Sequence, residues 1–343
     1  IDQSRNGKIK RILMNAHRYL LGEPAVNIVK SSTGMHRQIR KTLAERRFDA
    51  VQIEYSQFMS YLPLVQSFGI PCLAVAHDVS HISLARSGLT QYGLRRLFWD
   101  REARLMKAFE TAMWARPDRV VAMSDTDADY IRSLIPEATV DVVPNGVDVT
   151  NMAVREKHET PTITFVGWMR HHPNLDAITW FLQDIWLLVR ALHPSVRFHI
   201  IGRGLPGHLA ELVQKDERTE YLGFVEDIQS AVGKSWLSVV PLRIGSGTRL
   251  KILESMGLGT PVVSTTIGAE GIKATDGEHI LIADTPGEFA RRVVELLDSE
   301  VTRQGLASSG RRLVEDLYAW EKIGLLSCRA IEASIEQHRK GNL

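Results

Sequence analysis

Cysteine is scarce in this chain: Cys72 and Cys328 are the only two in 343 residues. Two are too few for a disulfide framework, and Cys72 sits inside an apolar run, so a reducing, cytoplasmic setting is expected. Long apolar runs are missing too. No stretch approaches the ~18 residues that suggest a transmembrane helix, and no secretory signal is evident. There is no Cys/His spacing for zinc, no Gly-x-Ser-x-Gly elbow and no Gly-x4-Gly-Lys-Ser/Thr loop, which sets aside zinc modules, serine hydrolases and P-loop enzymes. Net charge is small at +2, and no nucleic-acid partner is expected.

What the chain has is ordinary globular material, 44% hydrophobic and 24% charged, in a length that suits two domains. Charge is uneven. Residues 1–110 hold 17 Lys and Arg against 9 Asp and Glu, or +8, which leaves −6 for the rest of a chain at +2. A basic first part suits an anionic acceptor or membrane surface, although a solvated basic face accounts for it equally well. The first residue is Ile1 and the opening is polar and basic, so the natural beginning is expected to be missing.

Short Val- and Ile-rich runs alternate with amphipathic helical stretches. Asp49–Ile53, Cys72–Ala76 and Arg119–Met123 have the composition of buried parallel strands, and the pattern restarts with Thr162–Val166, Val196–Ile201, Leu237–Val240 and Pro261–Ser264. Leu175, Ile178, Phe181, Leu182, Ile185 and Val189 predict one helical stripe. Alternation of this size predicts two doubly wound α/β sheets, with a hinge in 144–161. A terminal helix over Tyr318–His338 is expected to turn Trp320, Ile323, Leu326 and Ile331 inward.

One segment carries most of the chemistry. Leu237–Leu242 leads into Arg243-Ile-Gly-Ser-Gly-Thr248, followed by Arg249-Leu-Lys-Ile-Leu-Glu254 and then Gly259-Thr-Pro-Val-Val263. A glycine loop at Gly245 and Gly247, with Thr248 placed as the N-cap, feeds a helix N-terminus whose free N–H groups and dipole suit a phosphate. Arg249 and Lys251 in the first turn oppose that dipole, and an anionic ligand explains them. Glu254 stands three residues after Lys251, the spacing of a plain surface pair. Its position one turn beyond a glycine loop, on an otherwise apolar helix, favours a ligand role instead.

Other residues are read more openly. His77 follows the strand Cys72–Ala76, where ligands gather in open α/β sheets; a loop histidine paired with Asp78 is the plainer reading. Gly167-Trp-Met-Arg-His-His-Pro-Asn174 is a strand-to-helix loop with Arg170, His171 and His172. Gly202-Arg-Gly204 is a weak signal by itself. Asp125, Asp127 and Asp129 fit a capped helix start behind Ser124 better than a metal site. Leu94, Leu97, Phe98, Leu105 and Phe109 form a stripe beside Arg95, Arg96, Arg101, Arg104 and Lys107. Core packing is the common origin of such a stripe, and a seat on an anionic membrane is the alternative.

The run Glu254-Ser-Met-Gly-Leu-Gly-Thr-Pro-Val-Val263 with its glycine loop resembles the nucleotide-sugar site of retaining GT-B glycosyltransferases of the family-four type. The resemblance implies two Rossmann-like doubly wound domains facing a cleft. These would be 1–145 (acceptor side, lacking its leading strands), 146–317 (nucleotide-sugar binding) and a helix, 318–343, crossing back to the first domain. It implies that Glu254 holds the ribose hydroxyls, that His77, Arg249 and Lys251 are catalytic, and that Gly167, Arg170, Gly202, Val225, Gly245, Ser246, Gly247 and Thr248 line the donor site. Ser246 stands where many members carry a second Glu, so an acidic nucleophile is not expected. The implied activity is transfer from a nucleoside-diphosphate sugar, with retention and with no cofactor or essential metal, in polysaccharide or glycoconjugate synthesis. The acceptor would be a carbohydrate or a lipid-linked molecule, at the inner face of the membrane. An epimerase on the same fold, or a fragment that binds without turnover, are the alternatives.

Overall fold

The structure, a computed structural model, describes residues 17–341. The chain divides into two compact units: one runs to Val143 and resumes at Leu325, the other is Pro144–Gly324. In the first, β1 (Val51–Glu54), β2 (Cys72–Ala76), β3 (Arg119–Ala122) and β4 (Val140–Val142) form a parallel sheet in that order. All five residues of β2 are buried, as a strand covered on both faces requires. Trp114, Leu62 and Ile131 fill the core around it.

The second unit holds β5 (Thr162–Val166), β6 (Arg197–Ile201), β7 (Thr219–Gly223), β8 (Leu237–Val240), β9 (Val262–Ser264) and β10 (Leu281–Ile282). They are parallel, in the order β10-β9-β8-β5-β6-β7. Two α/β units with parallel sheets are the expected fold class. Its core includes Phe181 against Phe198, ring centroids 4.7 Å apart, and each such buried side chain contributes roughly 1.5–3 kcal/mol.

Several expectations change in detail. The stripe from Leu175 to Val189 is two helices, His172–Trp180 and Trp186–Leu192, joined by a π turn over Phe181–Ile185. The segment expected as the hinge is packed on the second unit: Val149 and Met152 are buried, and the Val147 amide donates to the Tyr318 carbonyl at 2.8 Å. In the terminal helix Trp320–Gly341, Ile323, Ala330 and Ser334 are buried. Trp320, expected inward, is 52% exposed, with one part of its indole packed against Gly146.

The helix Gly93–Trp114 departs further from expectation. Its core face is Ala103, Met106 and Trp114, with Glu102 and Glu110 also buried. Leu94, Leu97 and Phe98 are 85%, 64% and 44% exposed. Core packing therefore explains the far end of the stripe, where Phe109 packs on the core, and leaves the near end in solvent. No helix among the described residues is long and apolar enough to cross a membrane.

Candidate functional site

Strand order in the second sheet changes direction between β5 and β8, which pair in parallel through Ile163–Leu237 and Thr164–Ser238. Ligands of open α/β sheets bind outside the carboxyl ends of strands at such a switch point. The two loops leaving β5 and β8 hold most of the residues singled out above.

The loop after β8 turns at Gly245 (φ 114°), where a side chain would be strained and a Cβ would meet the Arg249 guanidinium at 2.8 Å. The helix after it is Leu250–Gly257, and its N-cap is Arg249, not Thr248 as expected. Arg249 explains the shift. Its guanidinium folds back and donates Nη1–H to the carbonyls of Ser246 and Gly247, so the residue closes its own loop. Ser246 and Thr248 are half-buried on either side of the buried Gly247.

Lys251 reaches across the switch point. Its Nζ donates to the Val166 carbonyl and to Asn174 Oδ1, both at 2.8 Å, and lies 5.0 Å from the Phe165 ring centroid. The residue keeps partial exposure, but its ammonium is stripped of water. That burial, reinforced by Arg249, brings its pKa down to about 7. The surface pair with Glu254 does not form. Among the described residues the Glu254 carboxylate makes no hydrogen bond or ion pair, and desolvation raises its pKa while Lys251 opposes the rise.

On the β5 side, Gly167 and Gly202 are pressed together. A Cβ on Gly202 (φ 130°) would sit 1.8 Å from the Gly167 carbonyl oxygen, and the amides of Gly167 and Met169 bond the carbonyls of Ile201 and Arg203 at 2.9 Å. Asn174 fixes the loop by donating to the Trp168 carbonyl at 3.1 Å. Burial, then Lys251 and Arg249, lower the His171 pKa, so this ring sits beside those two cations and is held toward its neutral form. Arg170 is exposed and makes no hydrogen bond or ion pair among the described residues. Val225 lies half-buried beyond β7, next to Phe224, whose ring carries the Arg203 guanidinium at 4.3 Å.

Sequence reasoning missed Arg243, which grips Asp176 with two bonds of 3.0 and 2.7 Å and ties the glycine loop to the helix after β5. No local spacing announces a pair 67 residues apart.

In the first unit, His77 is partnered by Glu54 rather than Asp78: His77 Nε2 lies 2.7 Å from Glu54 Oε2 at the ends of β2 and β1. That bond is the main reason the Glu54 pKa is lowered. The Tyr55 ring stacks on His77, centroids 4.0 Å apart, from a backbone held at φ 65°. A non-glycine residue in that region costs on the order of 1–3 kcal/mol and is typical of ligand sites. Buried Glu110 accepts the amides of Ser80 and His81 at 3.0 and 3.1 Å and so steadies the turn after His77. Ser124 caps the helix Asp125–Leu134 by accepting the Asp127 amide at 3.0 Å. Among the described residues no three His, Cys, Asp or Glu side chains are grouped to hold a metal.

Two family models match: "Glycosyltransferase Family 4" over residues 19–151 and "Glycosyl transferases group 1" over residues 160–299. The chain is similar to a phosphatidyl-myo-inositol mannosyltransferase of Mycobacterium leprae, 26% identical over 225 residues, 62% of this chain and 58% of that protein. It also resembles an uncharacterized 44.6 kDa protein in the cps region of Klebsiella pneumoniae, 25% identical over 170 residues, 47% and 43% of the two chains. The chain thus spans about half the length of the curated relatives it matches. Among solved structures, sucrose-phosphate synthase from Thermosynechococcus elongatus superposes with a TM-score of 0.71 at 17% identity, over 87% of this chain and 77% of that one. Anabaena HepE in complex with UDP and glucose gives 0.68 at 14%, over 87% and 81%. The chain carries two parallel-sheet α/β units with the fold of GT-B glycosyltransferase structures.

Proposed function

We propose that the chain moves a sugar from a nucleoside-diphosphate sugar to an acceptor hydroxyl, with retention, in polysaccharide or glycoconjugate synthesis. The observation that carries this reading is the switch point, where Lys251 and Arg249 stand at the glycine loop beside His171 and Glu254 has no hydrogen bond or ion pair among the described residues.

In this reading the loop amides and Lys251 take the diphosphate, Arg249 holds the loop in shape for it, and Arg170 swings onto a phosphate oxygen. Glu254 accepts the two ribose hydroxyls, and Val225 packs against the base. The bond from the anomeric carbon to the phosphate oxygen breaks, and its electron pair leaves with the diphosphate. The acceptor oxygen bonds the same face and passes its proton to the departing phosphate. Preorganised charge of this kind is worth roughly 3–4 kcal/mol per donor removed. The protein's own cations meet the leaving-group charge, so no essential metal is part of the reading. His77, set by Glu54 and Tyr55, serves the acceptor side.

Exposed Leu94, Leu97 and Phe98 beside Arg95 and Arg96 are the surface that meets an anionic membrane carrying a lipid-linked acceptor. The chain's phosphatidylinositol mannosyltransferase relatives support a membrane acceptor, and the donors differ between similar proteins: UDP-glucose in HepE, GDP-mannose for a Corynebacterium glutamicum mannosyltransferase. Release of UDP or GDP from those two sugars, with and without mannoside-bearing lipid, tests the reading. Transfer by the chain and none by Lys251→Met supports it; no release from any donor contradicts it.

A further inference from the structure

The amino ends of the second sheet carry a separate cavity of about 630 Å³, entered between the segment before β5 and the helix Glu300–Leu317. Trp236 precedes β8 and Pro261 precedes β9, so this cavity opens at the end of the strands opposite the glycine loop. Its interior is cationic. Lys157 Nζ donates to the carbonyls of Gly233 and Gly259 at 2.8 and 3.0 Å and to Thr260 Oγ1 at 2.9 Å, all uncharged acceptors. The Arg303 guanidinium lies 4.0 Å over the Trp236 ring and donates to the Leu296 carbonyl at 2.7 Å. Among the described residues neither cation forms an ion pair.

These two cations repel each other: burial first, then Arg303, brings the Lys157 pKa down to about 8. A third, Arg155, lies on the same wall; it forms an ion pair with Asp227, 3.6 Å from Nη2, while its buried Nε has no hydrogen-bond partner among the described residues. The two acids at the cavity, Glu156 and Glu300, are exposed at its rim. Carbonyl partners satisfy hydrogen bonds but do not offset charge, so the desolvated Lys157 beside Arg303 is unfavourable until an anion joins them. The volume lies in the range of small-molecule sites.

We propose that this cavity binds a small phosphate-bearing molecule at a site separate from the donor site. Three cations of different reach suit a compact polyanion, with Arg303 held in place over the Trp236 ring. The inference does not depend on the glycosyltransferase reading.

Pyrophosphate titrated into the chain is the probe, read through the Trp236 indole NMR signal, assigned with Trp236→Phe; this N–H donates to the His158 carbonyl at 2.7 Å. The signal is expected to shift saturably with a Kd below about 1 mM. Arg303→Gln and, separately, Arg155→Gln should weaken binding about tenfold or more, the scale of a charged hydrogen bond. Lys251→Met, at the other end of the sheet, should leave it within about twofold. If Arg303→Gln fails to fold, Arg155→Gln decides. No saturable shift overturns the proposal, and so does a shift lost in Lys251→Met but kept in the arginine variants.

Discussion

The ammonium of Lys251 bonds the side-chain oxygen of Asn174 at 2.8 Å, joining the helix after β8 to the helix after β5 across the point where strand order reverses. Among the described residues no carboxylate is bonded to it, and burial brings its pKa down to about 7, so its positive charge at the mouth of the sheet is only partly held near neutral pH. A group so placed is costly to the empty protein and favourable to a bound anion.

Lys251→Met should separate those effects. Loss of a charged hydrogen bond to the ligand predicts about tenfold or weaker nucleoside-diphosphate binding. Stability should move little or rise at neutral pH, because a desolvated cation is removed; the melting temperature should fall by no more than about 2 °C. Calorimetry and thermal melts together check this, and a large drop in melting temperature would show a structural lysine.

Proton linkage follows from the same residue. With its pKa brought down to about 7 in the folded chain against about 10.4 unfolded, the unfolded state binds more protons between those values. Stability contributed by Lys251 must then rise with pH through that window, the penalty being fullest below the folded pKa. A diphosphate reverses the shift. Binding at about pH 8.5 should take up as much as one proton, measured by calorimetry in two buffers of different ionisation enthalpy. Equal uptake by Lys251→Met would remove Lys251 as the source.

Much of this site was legible as sequence. β2 is apolar throughout, and β5 and β8 are β-rich runs broken only by Thr162, Thr164 and Ser238, which announces buried parallel strands; the glycines between β8 and its helix announce the tight loop found there. What was illegible has physical reasons. β4 (Val-Asp-Val) and β7 (Thr-Glu-Tyr-Leu-Gly) are outer strands whose polar residues break the apolar run; Asp141 is there to receive Arg119 at 2.6 Å. Arg249 has the position of a phosphate ligand, but the positive-φ glycines turn its side chain back onto the loop. Glu54 and His77 are 23 residues apart and meet only because β1 pairs with β2 at Glu54 and Val75.

Gly202→Ala tests the close approach of the two loops. A methyl group 1.8 Å from the Gly167 oxygen, at φ 130°, forces the loops apart, and a loss of about 3 kcal/mol or more is expected. Thermal melts should show a drop of at least about 6 °C. An unchanged melt would mean the loops are not packed this way.

Glu54→Gln separates the two units functionally. The proposed donor site lies in the other unit, so diphosphate affinity should stay within about twofold. Loss of the charged partner of His77 should lower turnover about tenfold or more. In the reverse variant, His77→Gln, the Glu54 carboxyl should titrate closer to its ordinary value, followed by carboxyl carbon NMR. A Glu54 titration unmoved by that change would show that the bond between them does not form.

The most direct test of the donor site is the affinity of Glu254→Ala for UDP and GDP by calorimetry. Glu254 makes no hydrogen bond or ion pair among the described residues and its charge is partly desolvated, so the variant should melt with the parent chain or slightly above it. Affinity for the diphosphate that the parent binds should fall about tenfold or more. Unchanged affinity in a normally folded variant would contradict the assignment.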